Sequence, residues 1–222
     1  MIITIDGPAG TGKSTVALAV ADALRFGFLD TGAMYRAVTL EALRRQTPLD
    51  DARELAFVAR HCRIEFDWER HPPGVILNGE RVTHLLRGDQ VTPATSRVAV
   101  VPAIRQQLVQ QQREIARQRG NLVTEGRDQG TIVFPQAELK IYLDATPAER
   151  ARRRVAQLRA RGEIAEYNHL LQQIMTRDHL DATRAAGPLA VPVGAHVLDT
   201  TGLREEQVVD AIVQLARGRA IA

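Results

Sequence analysis

The chain has almost no lysine. Of 29 basic residues set against 26 acidic ones, two are lysines, Lys13 and Lys140, and the others are arginines. Aromatic residues make up only 4% and no basic run is interleaved with them, which argues against a nucleic-acid-binding module despite a net charge of +3. Scattered arginines serve polyanionic small molecules equally well. A single cysteine, Cys62, excludes an internal disulfide framework, fits a reducing compartment and reads as a small buried hydrophobe. No apolar run approaches the length of a membrane-spanning helix. The first strand pattern begins at residue 2, which leaves no room for a secretory signal, so a cytoplasmic location is expected. Internal repeats and low-complexity segments are missing too.

What is present starts with size. At 222 residues and 45% hydrophobic content the chain builds a real core, as one domain with appendages or two small ones. The apolar run Ile2-Ile3-Thr4-Ile5 leads into Asp6-Gly7-Pro8-Ala9-Gly10-Thr11-Gly12-Lys13-Ser14-Thr15, and a helical pattern follows from Val16. Gly7 to Ser14 fits G-x-x-x-x-G-K-[ST], a loop whose backbone N–H groups cradle the phosphates of a nucleoside triphosphate. Lys13 would reach the β- and γ-phosphates, and the Ser14 hydroxyl would hold Mg²⁺. In a chain that uses arginine nearly everywhere, a lysine stands where the triphosphate loop requires one.

Along the chain, Phe26–Asp30, Asn121–Glu125, Leu139–Asp144 and His196–Asp199 read as further buried strands. They alternate with helices, which predicts a parallel α/β sheet covered on both faces. Thr146-Pro147-Ala148-Glu149 is a helix start, with Thr as cap. A helix is expected from Glu163 to about Thr183, and another from Arg204 to Arg217. Residues 62–98 break the pattern. Arg63–Trp68 alternates with period two, and Asn78-Gly79 supplies a hairpin turn between Val75-Ile76-Leu77 and Glu80-Arg81-Val82. These residues read as a small antiparallel insertion in a core of residues 1–61 and 99–222. Ligands in such folds bind beyond the carboxyl ends of the strands, which gathers Asp6, Asp30-Thr31, Gly126-Arg127-Asp128, Asp144 and Asp199-Thr200 on one edge.

Two arginine sets stand out. Arg150, Arg153 and Arg154, spaced i, i+3, i+4, share a helix face able to close over a γ-phosphoryl group. Arg177, Asp181 and Arg184 share another. A GTPase would need an Asn-Lys-x-Asp guanine reader, and neither lysine follows an asparagine. A motor or rotary ATPase would be longer, with an apolar strand ending in a magnesium-holding Asp. A small-molecule kinase survives as the class, with UMP or a hydroxyl compound as alternative acceptors and the nucleic-acid module as a remote one.

The chain resembles the bacterial cytidylate (CMP/dCMP) kinases from end to end. The resemblance rests on I-T-I-D-G-P-A-G-T-G-K-S-T at 3–15, L-D-T-G-A-M-Y-R at 29–36, S-R-V-A-V-V-P-A-I-R at 96–105, E-G-R-D-Q-G-T-I-V-F-P at 125–135, E-R-A-R-R-R at 149–154 and R-D-H-L-D-A-T-R at 177–184. It implies a P-loop NTPase-type, five-stranded parallel core flanked by helices, a helical lid at about 148–165, and a substrate subdomain at 62–98. The implied reaction transfers the γ-phosphoryl group of ATP to CMP or dCMP with Mg²⁺. ATP would be held by Gly7, Pro8, Ala9, Gly10, Thr11, Gly12, Lys13, Ser14 and Thr15. The acceptor would be held by Thr31, Arg36, Ser96, Arg105, Arg127, Asp128, Arg177, Asp181 and Arg184. Lys13, Arg150, Arg153 and Arg154 would neutralise charge in transfer. A monomer that binds neither nucleic acid nor membrane is expected. Ser14 stands where many relatives have glycine, Thr31 where serine is common, and Ala182 where an arginine is usual.

Overall fold

The computed structural model describes residues 1–219. Its larger sheet is parallel and has five strands: β1 (Ile2–Asp6), β2 (Gly27–Asp30), β6 (Leu122–Gly126), β7 (Leu139–Asp144) and β8 (His196–Asp199), in the order β2-β6-β1-β7-β8. β1 pairs in register with β6, Ile2 opposite Leu122 and Asp6 opposite Gly126, and with β7 on its other side. Ile3, Ile5, Leu122, Val123, Leu139, Ile141 and Leu143 are fully buried, as expected of parallel strands covered on both faces.

The chain divides into two compact units. One comprises residues 1–26 together with the chain from Leu122 onward, so its central strand β1 finds its partners only after a long excursion. In this unit α1 (Lys13–Leu24) packs against α8 (Glu205–Arg219) and β6. α6 (Pro147–Arg159) packs against α7 (Tyr167–Thr183). The expected cap of α6 is present: Thr146 Oγ1 accepts from the Glu149 N–H at 3.2 Å, with Pro147 in the first turn. α7 starts later than the expected Glu163, because Gly162 takes φ 77° and the chain runs irregularly until Glu166. No helix among the described residues is long and apolar enough to cross a membrane.

The other unit is Gly27–Asn121. It holds α2 (Thr31–Arg44), α3 (Ala52–Arg60), α4 (Val91–Ala99), α5 (Pro102–Arg119) and an antiparallel sheet of β3 (Ile64–Asp67), β4 (Gly74–Leu77) and β5 (Glu80–Arg81). The hairpin forms where the sequence places it, with Asn78 at φ 51° and Gly79 at φ 86°. This unit is wider than residues 62–98, because α2 packs on α4 and on β4, and α3 packs on α5.

Cys62 is 3% exposed, and burial pushes its thiol up to about 12, with Glu41 adding to the shift. It is expected to resist a disulfide reagent at pH 8 in the folded protein and to react fully in denaturant; rapid labelling of the native state would contradict the burial.

Candidate active site

The loop between β1 and α1 is built by its glycines. Gly7 takes φ 147°, and a Cβ there would lie 2.1 Å from the Leu143 carbonyl oxygen, so only glycine fits. Gly12, at φ 88°, caps α1 without a side-chain hydrogen bond, and the first turn carries no acidic residue. Its N–H groups are therefore presented to an anion. Lys13 is 6% exposed; its Nζ donates to the Pro8 carbonyl at 2.8 Å, and Thr11 Oγ1 donates to the same oxygen. Burial, with the Arg127 and Arg177 cations reinforcing it against Glu125 and Asp6, brings the Lys13 ammonium down to about 7. Three cations converging on one loop is an arrangement for a polyanion.

Ser14 Oγ donates to Glu125 Oε1 at 2.8 Å, and Glu125 is buried at the end of β6. A hydroxyl and a carboxylate side by side at a helix N-terminus form a hard-oxygen set, the donor type that suits Mg²⁺.

Asp6, fully buried, closes the other side of the strand edge. Its Oδ1 accepts from the Gln129 N–H at 2.8 Å and its Oδ2 from the Gly130 N–H at 2.7 Å. Burial outweighs these bonds and pushes its carboxyl up to about 6, Asp128 adding to the rise and Lys13 opposing it. The residues it grips open a π-helical turn, Gln129–Val133, directly after Asp128.

Arg127 Nε donates to Asp181 Oδ2 at 2.9 Å, and Arg184 Nη1 lies 3.6 Å from Asp181 Oδ1. Burial alone would raise the Asp181 carboxyl, but Arg127, by charge and hydrogen bond, with Arg177 and Arg184, holds it below the usual range. One unit thus brings together the triphosphate loop, Arg127, Asp128, Arg177, Asp181 and Arg184. The remaining acceptor candidates lie in the Gly27–Asn121 unit. There Thr31 opens α2 under the Asp30 cap, whose Oδ1 accepts from the Ala33 N–H. The Arg36 guanidinium folds back along the first turn of α2, close to Gly32. Arg105 is buried, donates to the Ala99 carbonyl at 3.1 Å and stacks over Tyr35 at 5.5 Å. Ser96 is exposed on α4.

The three α6 arginines do not form one set. Arg150 is buried against the triphosphate loop: it donates from Nη1 to the Ala9 carbonyl at 3.0 Å, from Nε to Ala145, and through both terminal nitrogens to Asp178. Arg153 is held by Glu149 and Thr200. Arg154 is exposed. The i, i+3, i+4 spacing fixes where the stems leave the helix, whereas the partners fix where the guanidinium groups end.

The family model described as Cytidylate kinase matches residues 3–218. The chain belongs to the cytidylate kinase family. The "Cytidylate kinase" of Caldanaerobacter subterraneus subsp. tengcongensis is 45% identical over 215 residues, covering 97% of this chain and 94% of that one. A "Bifunctional pantoate ligase/cytidylate kinase" of a Synechococcus strain is 47% identical over 219 residues; the match takes in 97% of this chain and 40% of that longer protein. Among solved structures, an uncharacterized protein from Eubacterium ventriosum superposes with a TM-score of 0.54 at 12% identity, covering 98% of each chain, a likeness that shows the fold alone. As a cytidylate kinase, the chain is an ATP-dependent phosphotransferase acting on CMP or dCMP. Four polar residues of the site had no partner in sequence reasoning: Asp6, Glu125, Asp178 and Thr200. Asp6 and Thr200 were legible as strand-edge residues, but their partners were not.

Proposed function

We propose that this cytidylate kinase works by alignment and charge neutralisation, with no general base. The attacking group is a phosphate oxygen whose second pKa is about 6, so it is already ionised at neutral pH. The backbone of Gly7–Thr15 and Lys13 hold the ATP phosphates, and Lys13 follows the γ-phosphoryl group as charge develops on it. Arg150 keeps the loop in shape through Ala9, while Arg153 and the exposed Arg154 belong to a lid at about 148–165. Ser14, aligned by Glu125, would hold Mg²⁺. When bound, the ion screens the phosphate oxygens.

For the acceptor, the Asp128 carboxylate takes a hydrogen bond from the cytosine N4 amine, with Arg105 and Ser96 serving N3 and O2. Uracil would turn a carbonyl toward that carboxylate, which disfavours UMP. Arg36, Arg127 and Arg184 serve the acceptor phosphate, Thr31 supports them with its hydroxyl, and Asp181 with Arg177 serves the ribose hydroxyls. The small sheet at 62–98 belongs to the acceptor side. We further propose a cytoplasmic monomer that binds neither nucleic acid nor membrane.

The observation that carries this reading is the joining of Arg127, Arg177 and Asp181 to the loop of Lys13 within one unit: cations for phosphate-bearing ligands beside a carboxylate able to serve ribose hydroxyls, with Asp128 directly after Arg127. A coupled assay of ADP release with the four monophosphates tests it. CMP or dCMP is expected to be preferred, and Asp128→Ala to raise KM for CMP and erode discrimination against UMP about 10- to 100-fold. Equal turnover of all four, or unchanged selectivity in the variant, would refute the base-reading role.

A further inference from the structure

Asp6 touches neither ligand in the mechanism above, yet it is a fully buried carboxylate at the carboxyl end of the central strand. We infer that Asp6 is a positioning residue for acceptor recognition, fixing from β1 the turn that carries Arg127 and Asp128. The inference rests on assigning those two residues to the acceptor.

The geometry is specific to a carboxylate. After Asp128, at φ −142° and ψ 23°, the N–H groups of Gln129 and Gly130 both turn toward β1. Each finds one oxygen of Asp6, and no other ionised side chain of this size offers two acceptors without a donor. The rest of the turn is tied just as closely. The Asp128 carbonyl accepts from the Ile132 and Val133 N–H groups at 2.9 and 3.1 Å. The Gln129 side-chain oxygen accepts from Thr124 Oγ1 at 2.9 Å. Gly130 leaves no room to move, since a Cβ there would meet Pro192 Cγ at 2.8 Å and Thr4 Oγ1 at 2.9 Å. Asp6 also pairs in register with Gly126, the residue before Arg127. A π-helical turn is uncommon and is often found at functional sites. Here the turn sets the backbone directions of Arg127 and Asp128.

A buried carboxylate that only weakened the fold would have no reason to be there. Burial, against the hydrogen bonds from Gly130 and Gln129, lifts its folded pKa to about 6 from its ordinary 3.8, with Asp128 raising it further and Lys13 lowering it. The sign follows: its contribution to stability is fully present below about pH 3.8 and is lost as pH rises through about 6. The ionised form is tolerated against that loss, which points to the two N–H groups it orders.

Asp6→Asn offers one acceptor and sets an NH₂ against the other N–H. It is expected to raise KM for CMP about tenfold and to lower the CMP-over-UMP ratio of kcat/KM about tenfold, with KM for ATP moving less than about twofold. Its stability should also lose the fall between about pH 4 and 6 that the raised Asp6 carboxyl is expected to give the wild type. General loosening of β1 would move KM for ATP as well, because Gly7 begins the triphosphate loop, and would leave base selectivity unchanged; that result overturns the inference. If Asp6→Asn does not fold, Gly130→Ala displaces the same turn with Asp6 intact, and the same split between CMP and ATP is expected. Asp128→Ala runs in parallel. Lost selectivity in Asp128→Ala with unchanged selectivity in Asp6→Asn overturns the positioning role alone, and unchanged selectivity in both overturns the assignment of Asp128.

Discussion

Lys13→Met is expected to lower kcat by about three orders of magnitude while the protein keeps its fold. The magnitude is what a preorganised cation is worth when charge moves onto the γ-phosphoryl oxygens. The ammonium is already placed: it lies inside its own loop, 2.8 Å from the Pro8 carbonyl, and is nearly inaccessible to solvent. Methionine has similar length and no charge, so the substitution fills the same space and removes a desolvated cation that Arg127 and Arg177 oppose. Thermal unfolding of the variant should therefore occur at or above the wild-type Tm, with unchanged far-UV circular dichroism. A kcat within about tenfold of wild type would place the main charge neutralisation elsewhere. Arg154 would then be the next residue to test, being the exposed arginine of the α6 trio.

The second large effect is on stability. Asp178→Ala is expected to destabilise the protein by about 3–5 kcal/mol, lowering Tm by roughly 10 °C, because it leaves the buried Arg150 guanidinium without its carboxylate. Arg150 is 3% exposed and bonds Asp178 through both terminal nitrogens, at 3.0 and 2.6 Å. Its other donors hold Ala9 and Ala145, so the loss reaches the triphosphate loop and KM for ATP should rise. The double variant Arg150→Met/Asp178→Ala separates the causes. If an uncompensated charge dominates, the double variant is more stable than Asp178→Ala alone. If the pair's attraction dominates, the double variant loses about as much as Asp178→Ala alone, because the same attraction is removed only once.

How far the sequence reached follows from how local each determinant is. The triphosphate loop, the Thr146 cap, the Asn78-Gly79 turn and the apolar strands Ile2–Asp6, Leu139–Asp144 and His196–Asp199 are set within a few residues, and all form where the sequence places them. The π-helical turn Gln129–Val133 carries no turn signal of its own. Its shape depends on a carboxylate 124 residues away at Asp6. The Ser14–Glu125 pair spans 111 residues and the Arg150–Asp178 pair 28, and residue spacing says nothing about either. Arg150 shows this most clearly. Helical periodicity puts it beside Arg153 and Arg154, but the carbonyl of Ala9 and the carboxylate of Asp178 draw its head away into the protein. The boundaries of the Gly27–Asn121 unit were also hidden, since they follow from how α2 and α3 pack on α4 and α5 and not from a change in composition.

The central strand has a further consequence during synthesis. Ile2 pairs with Leu122, so 120 more residues must be made after Ile2 before that partner exists. At about 5–20 residues per second this takes about 6–24 s on the ribosome. By then every helix and strand of the Gly27–Asn121 unit has been made, while Ile2-Ile3-Thr4-Ile5 still waits with both of its edges open. The central strand of the finished sheet is thus, for that interval, an apolar segment of the nascent chain with neither neighbour in place, a stretch a chaperone can hold.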